Sequence, residues 1–77
     1  MLATASNPRD AVVQAAIEIQ VRHGWTGAKF AQKIGVSESG WSRVRRGDRQ
    51  PGMRMLQGIR RAFPETTELV MRVIFAA

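Results

Sequence analysis

The sequence predicts an all-α fold, a compact bundle of about five short helices. Three observations predict it. Apolar residues recur at three- and four-residue spacing in successive segments, the pattern of one buried helix face. Glycine and proline punctuate the chain between those segments, and capping residues stand where the segments begin. The chain has 77 residues and no cysteine. It therefore reads as one small domain, held by helix packing and by any partner subunit rather than by disulfides.

Residues 3–6 are small, and a frayed tail is expected over 1–7 with the domain over 8–77. Asn7 can cap a first helix, and Pro8 suits its first position, where a missing N–H costs nothing. That helix is expected over 8 to about 22. Val13, Ile17 and Val21 form its apolar stripe, with Val12 and Ala16 beside them. Gly24 then closes it. Thr26 can cap a second helix over 27–34 that buries Phe30, Ala31 and Ile34 and ends at Gly35. Ser37 can cap a third, to about 45, that turns Val36, Trp41 and Val44 inward. Residues 46–52, rich in glycine and proline, read as a loop. A fourth helix, over 53–63, carries Met55, Leu56, Ile59 and Phe63, and Pro64 stops it. In 65–77 the apolar residues Leu69, Val70, Val73 and Ile74 fit helical spacing, and a fifth helix is the favoured reading. Alternation of Leu69, Met71, Val73 and Phe75 leaves a strand open.

Net charge is +6, and its distribution is uneven. Positions 22–61 hold ten basic residues and two acidic ones, a net of +8, whereas the flanks are net negative. A concentrated basic zone suits a polyanion partner, although a solvated surface gives the same composition. Enzyme chemistry is not expected. There is one histidine, no cysteine, no tyrosine, no pair of carboxylates at catalytic spacing and no phosphate-binding glycine loop. His23 alone makes no metal site, so no cofactor is expected. The longest apolar run, 69–77, is interrupted by Arg72 and too short to span a bilayer. No secretory leader is evident, and the lack of cysteine fits a reducing cytoplasm. The basic residues cluster around a turn and not along one helix face, which argues against a membrane-surface helix.

The informative stretch is 26–46. Two short helices that cross around a tight turn need a small residue where they touch, a residue tolerating positive φ at the turn, and apolar residues on either side. Ala31, Gly35, and Ile34 and Val36 with Trp41 and Val44 meet these needs in turn. The segment 25–51 resembles the Cro/repressor (XRE-like) family of phage and bacterial helix-turn-helix proteins. Ala28, the run Phe30-Ala31-Gln32-Lys33-Ile34-Gly35-Val36-Ser37, then Trp41-Ser42-Arg43, Gly47 and Pro51 carry the likeness, which extends over about 13–74. It implies a lambda-repressor-like domain that binds double-stranded DNA. It also implies a transcriptional regulator, by preference a repressor, in the cytoplasm of a bacterium or phage-infected cell. The family usually has glutamine or another polar side chain where this chain has Gly27. It often ties a basic residue of the first helix to glutamate late in the third, positions that fall here at Gln20 and Arg45, which leaves Arg45 to pair with Glu18 or to face a phosphate. Gly40 inside the third helix costs roughly 1 kcal/mol against alanine, yet also allows close approach to a groove.

On this reading the helix over 37–46 lies in a major groove, where its first turns meet base edges. Glu38, Ser39, Ser42 and Arg43 are the expected base-reading residues. Arg43 can bond guanine bidentately or contact a phosphate. Glu38 can accept from cytosine or simply favour the helix N-terminus. Phosphate contacts are expected from Thr26, Gly27 and Ser37 at the helix starts, and from Lys29, Arg46 and Arg49. Arg60 and Arg61 read as a solvated face, and Trp41 as core in preference to a stacking platform. One small domain reads only a few base pairs. A homodimer on a palindromic operator is therefore expected, with half-sites about 34 Å apart and with 65–77 as the dimerisation element. The competing expectation is an antitoxin or adaptor that docks on another protein and binds DNA secondarily.

Overall fold

A computed structural model describes residues 7–75. Positions 1–6 of the tail expected over 1–7, and the last two positions of 65–77, lie outside the described residues. Among the described residues five α-helices run in order: α1 (Pro8–His23), α2 (Gly27–Ile34), α3 (Glu38–Arg45), α4 (Met53–Ala62) and α5 (Thr67–Phe75). A single 3-10 turn, Pro64–Thr66, precedes α5. The described residues contain no strand, so 65–77, as far as residue 75, takes the helical option of the two that its sequence left open.

The ends of the elements follow local chemistry. Asn7 accepts from the Arg9 N–H at 2.9 Å, with Pro8 in the first turn. Thr26 and Ser37 cap α2 and α3 through their hydroxyls, accepting from the Lys29 and Gly40 N–H groups at 3.1 Å each. The α4 helix starts at Gly52 without a side-chain cap. Phe63 leaves the helical region, at φ −132° and ψ 83°, because the following proline disfavours the helical conformation there.

The core draws on all five helices. Val12, Ala16, Phe30, Trp41, Leu56, Ile59 and Val70 are its most deeply buried apolar side chains. The α2 helix packs on α3 and α4, and α1 packs on α5 and α3. A run of rings, His23, Trp25, Phe63, Phe30 and Trp41, leads from the surface to the underside of α3. Consecutive ring centroids along it stand between 4.2 and 6.0 Å apart, spacings at which aromatic pairs attract beyond their buried area.

The buried face of α1 corrects the stripe expected from its sequence. Val21 is 65% exposed and Ile17 only partly buried, whereas Ile19 and Gln20 face inward with Val12, Val13 and Ala16. The cause is polar. The Gln20 Oε1 accepts from the Trp41 indole N–H at 3.0 Å, and its Nε2 donates to the Trp25 carbonyl at 3.1 Å. With Gln20 only 4% exposed and Trp41 fully buried, these bonds satisfy groups that would otherwise be desolvated without a partner. They fix which side of α1 faces α3.

A second determinant is Gly58 in α4. A Cβ there would stand on the backbone carbonyl of Ile34, at the end of α2. The crossing of α2 and α4 is thus backbone on backbone and admits only glycine. Gly58→Ala should lower the melting temperature by the equivalent of about 1–3 kcal/mol from overpacking, despite alanine's better helix propensity. At Gly27 a Cβ would meet only the Trp41 ring, 3.9 Å away, and Gly27→Ala should not lower it. Thermal unfolding followed by circular dichroism checks both.

Candidate nucleic-acid interface

The turn between α2 and α3 sets the site. Gly35 lies at φ 79°, in the left-handed region that glycine enters without steric cost. Its N–H donates to the Gln32 carbonyl, and the Val36 N–H donates to the Ala31 carbonyl at 3.0 Å. This closes α2 with the paired bonds of a left-handed helix end. Val36 then packs against the core and Ser37 starts α3. Only three residues separate the two helices, so α3 leaves the turn with its register already set by Gly35 and the Ser37 cap.

Successive residues of an α-helix are about 100° apart. Trp41 and Val44 are the buried face of α3, so Ser39, Ser42, Arg43 and Arg46 project from the opposite side. Ser39, Arg43 and Arg46 are exposed and Ser42 is partly buried. The helix therefore forms a ridge, and a cleft runs along each flank. One cleft, of about 440 Å³, is lined by Gly27, Glu38, Trp41, Ser42, Arg45 and Arg46. The other, of about 370 Å³, brings Ser37 and Gly40 together with Arg49, Gln50 and Arg54. Ser39 and Arg43 line neither and stand on the crest.

The ten residues singled out from the sequence thus divide by position. Ser39 and Arg43 occupy the crest, and Ser42 and Arg46 the slope toward α2. Glu38 faces Gly27 across the first cleft and lies off the crest. Ser37 belongs to the second cleft, and Arg49 lines both it and a further cleft at the C-terminal end of α3 that it shares with Asp10, Arg45 and Arg46. Thr26 and Lys29 are exposed but line neither cleft. The Thr26 and Ser37 hydroxyl oxygens already accept backbone N–H groups, which leaves the Thr26 O–H to donate outward, while the Ser37 hydroxyl also lies 3.5 Å from that of Ser39. Arg46 Nε bonds the Asp48 carboxylate at 3.2 Å, both side chains being 62% exposed. Such a pair is worth about 0–1 kcal/mol and leaves the rest of the guanidinium free to bond.

Arg54 was not among the cations singled out, and Arg45 was left open between Glu18 and a phosphate. Arg45 lines the cleft beside the start of α2, and Arg54 lines the one beside the start of α4. The signal for Arg45 was present in the sequence, because position 20 carries glutamine and not a charged partner. Among the described residues the ion pairs are Arg46–Asp48 and Arg72–Glu68, so Arg45 is not paired with Glu18. Arg54 had no such signal, since only the folding of the 46–52 loop brings it beside α3. Gly40 is also explained. A Cβ there would press to 3.0 Å on the Ser37 hydroxyl that caps the same helix.

Anion contact is the chemistry this surface offers. The N–H groups of Gly27 and Ala28 precede the first intrahelical bond of α2, and the helix dipole favours negative charge beside them. Arginines stand on both flanks. Among the described residues no group of three histidine, cysteine, aspartate or glutamate side chains gathers to hold a metal. No helix there is long and apolar enough to cross a membrane. Comparison with protein-family models, with curated proteins and with solved structures gives no match to this chain.

The two caps and the crest should separate in a stability measurement. Ser37→Ala and Thr26→Ala should each cost about 1 kcal/mol in urea unfolding. Ser39→Ala and Arg43→Ala, which remove exposed side chains, should stay within about 0.5 kcal/mol of the parent.

Proposed function

We propose that this chain is a sequence-specific regulator that binds double-stranded DNA, of the Cro/repressor (XRE-like) helix-turn-helix kind, and that α3 enters the major groove. The observation that carries the proposal is the ridge. A helix backed by Trp41 and Val44 presents Ser39, Ser42 and Arg43 outward, between two clefts that hold arginines. A helix about 10–12 Å across fits a groove about 12 Å wide. Short side chains at Ser39 and Ser42 let the ridge sit deep, where the Arg43 guanidinium can bond guanine O6 and N7 together. Arg45, Arg46 and Arg49, which share a cleft at the C-terminal end of α3, then meet the phosphate backbone. Occupying a promoter in this way represses it, and bacterial or phage-infected cytoplasm is the matching compartment.

A single ridge reads too few base pairs for useful selectivity, so a homodimer on a palindromic operator belongs to the proposal. The α5 helix supports this only in part. Val70 is buried, and Leu69, Val73 and Ile74 pack on the domain's own core. Met71 and Phe75 remain outward, Phe75 at 75% exposure, and they are the residues proposed to meet a second copy. Removing α5 would open the core, so a surface substitution is the better probe. Phe75→Asp should leave the melting temperature within about 2 °C, shift sedimentation from dimer to monomer and weaken operator binding. An unchanged dimer with Phe75→Asp would exclude this face.

Selection from a random duplex library tests the reading itself. The expected result is a near-palindrome with half-sites about ten base pairs apart, relaxed at one position in each half by Arg43→Ala. Arg46→Ala and Arg49→Ala should instead weaken all duplexes alike and each reduce the salt slope by about one. A selection that enriches nothing, with only salt-sensitive binding, rejects the proposal and leaves protein docking as the role of the domain.

A further inference from the structure

We infer that Gln20 is a positioning residue for sequence reading, acting through Trp41 and touching no DNA itself. The inference rests on the DNA-reading proposal above. Among the described residues only Gln20 and Thr66 are buried polar side chains. Thr66 bonds a carbonyl three residues away and ties nothing distant together. Gln20 bonds across 21 positions, to the indole of the fourth residue of α3, and through its other amide atom to the Trp25 carbonyl just before α2. One side chain of α1 is therefore bonded both to α3 and to the segment that launches α2.

The bond supplies something apolar packing does not. Burial of Trp41 and Val44 holds α3 against the core, but the hydrophobic effect has no direction. A hydrogen bond weakens steeply as its angle falls, so the Gln20 to Trp41 bond selects one rotation of α3 about its own axis. That rotation decides where Ser42 and Arg43, the next two residues, meet a base edge. At about 6 Å from the axis, a turn of about 10° displaces a side chain by about 1 Å. Productive recognition tolerates about 0.5 Å. Phosphate contacts by flexible arginines are far more forgiving. Loss of the bond should therefore degrade discrimination between sequences and spare affinity for DNA in general.

The test compares binding to the duplex selected by the parent protein with binding to a scrambled duplex of equal length. The proteins are the parent, Gln20→Met, Trp41→Phe and the double variant, at a temperature where circular dichroism shows each folded. Gln20→Met should lower the ratio of the two affinities about tenfold, equivalent to about 1.4 kcal/mol. Affinity for the scrambled duplex and its salt slope should stay unchanged. Trp41→Phe, which removes the same N–H, should lower the ratio comparably, and Gln20→Met should add nothing in that background. Equal loss on both duplexes would mean that Gln20 serves the fold alone and would overturn the inference, as would an unchanged ratio. If Gln20→Met does not fold, Trp41→Phe decides by the same criterion. A parent protein that prefers no duplex rejects the DNA reading itself, whereas a parent preference retained in the variants rejects only the role of Gln20.

Discussion

The hydrogen bond between the Gln20 amide and the Trp41 indole is the constraint on which the arrangement of the domain depends. Trp41 is the largest fully buried side chain, and its N–H must find an acceptor inside a small core. The partner comes from the last turns of α1, and the same amide holds the Trp25 carbonyl where the chain turns into α2. Around this polar point the apolar residues fill space. Phe30 packs on Trp41 at 4.6 Å, and Phe63 lies parallel to Phe30 at 5.7 Å. The polar contact decides the angle between helices that packing alone leaves loosely specified.

The proposed interface inherits its shape from this core. A ridge can project only because its opposite side is anchored by a ring and a branched aliphatic. The clefts on either side exist because α2 ends at Gly35 and the loop after α3 turns back toward α4. The second turn repeats the chemistry of the first: Gly47 follows α3, and the Asp48 N–H returns to the Arg43 carbonyl at 2.9 Å. Both ends of α3 are thus set by backbone bonds and a serine cap, which leaves its outward side chains without structural duty. Arg43 and Ser39 are the residues whose identity the fold does not require.

The apolar surface raises a related division of labour. The stripe of α5 that looked available to a partner is mostly spent on the domain itself, because Val70 completes the core under α1. What remains outward is the narrow pair Met71 and Phe75, one turn apart. A small domain has little apolar residue to spare, and each helix must serve its own core first.

Where the determinant is local, the sequence was sufficient. Caps at Asn7, Thr26 and Ser37, the glycine turns, the stop at Pro64 and the inward faces of α2, α3 and α4 all follow from a residue's own conformational range or from neighbours within one turn. The helical fold class and the boundaries of the turn motif were therefore legible. Other features needed the tertiary structure, because their cause lies elsewhere in the chain. The inward face of α1 turned on glutamine, a polar residue whose partner stands 21 positions away, so apolar spacing pointed to Val21 instead. Gly58 looks like an ordinary weak point in a helix until the Ile34 carbonyl is found against it. The cleft that brings Arg54 beside α3 arises from the path of a loop, which composition and spacing do not encode. Sequence determined the elements and their ends through local sterics and hydrogen bonding. Tertiary structure decided which faces meet, because a buried polar group is satisfied only by a partner that folding brings to it.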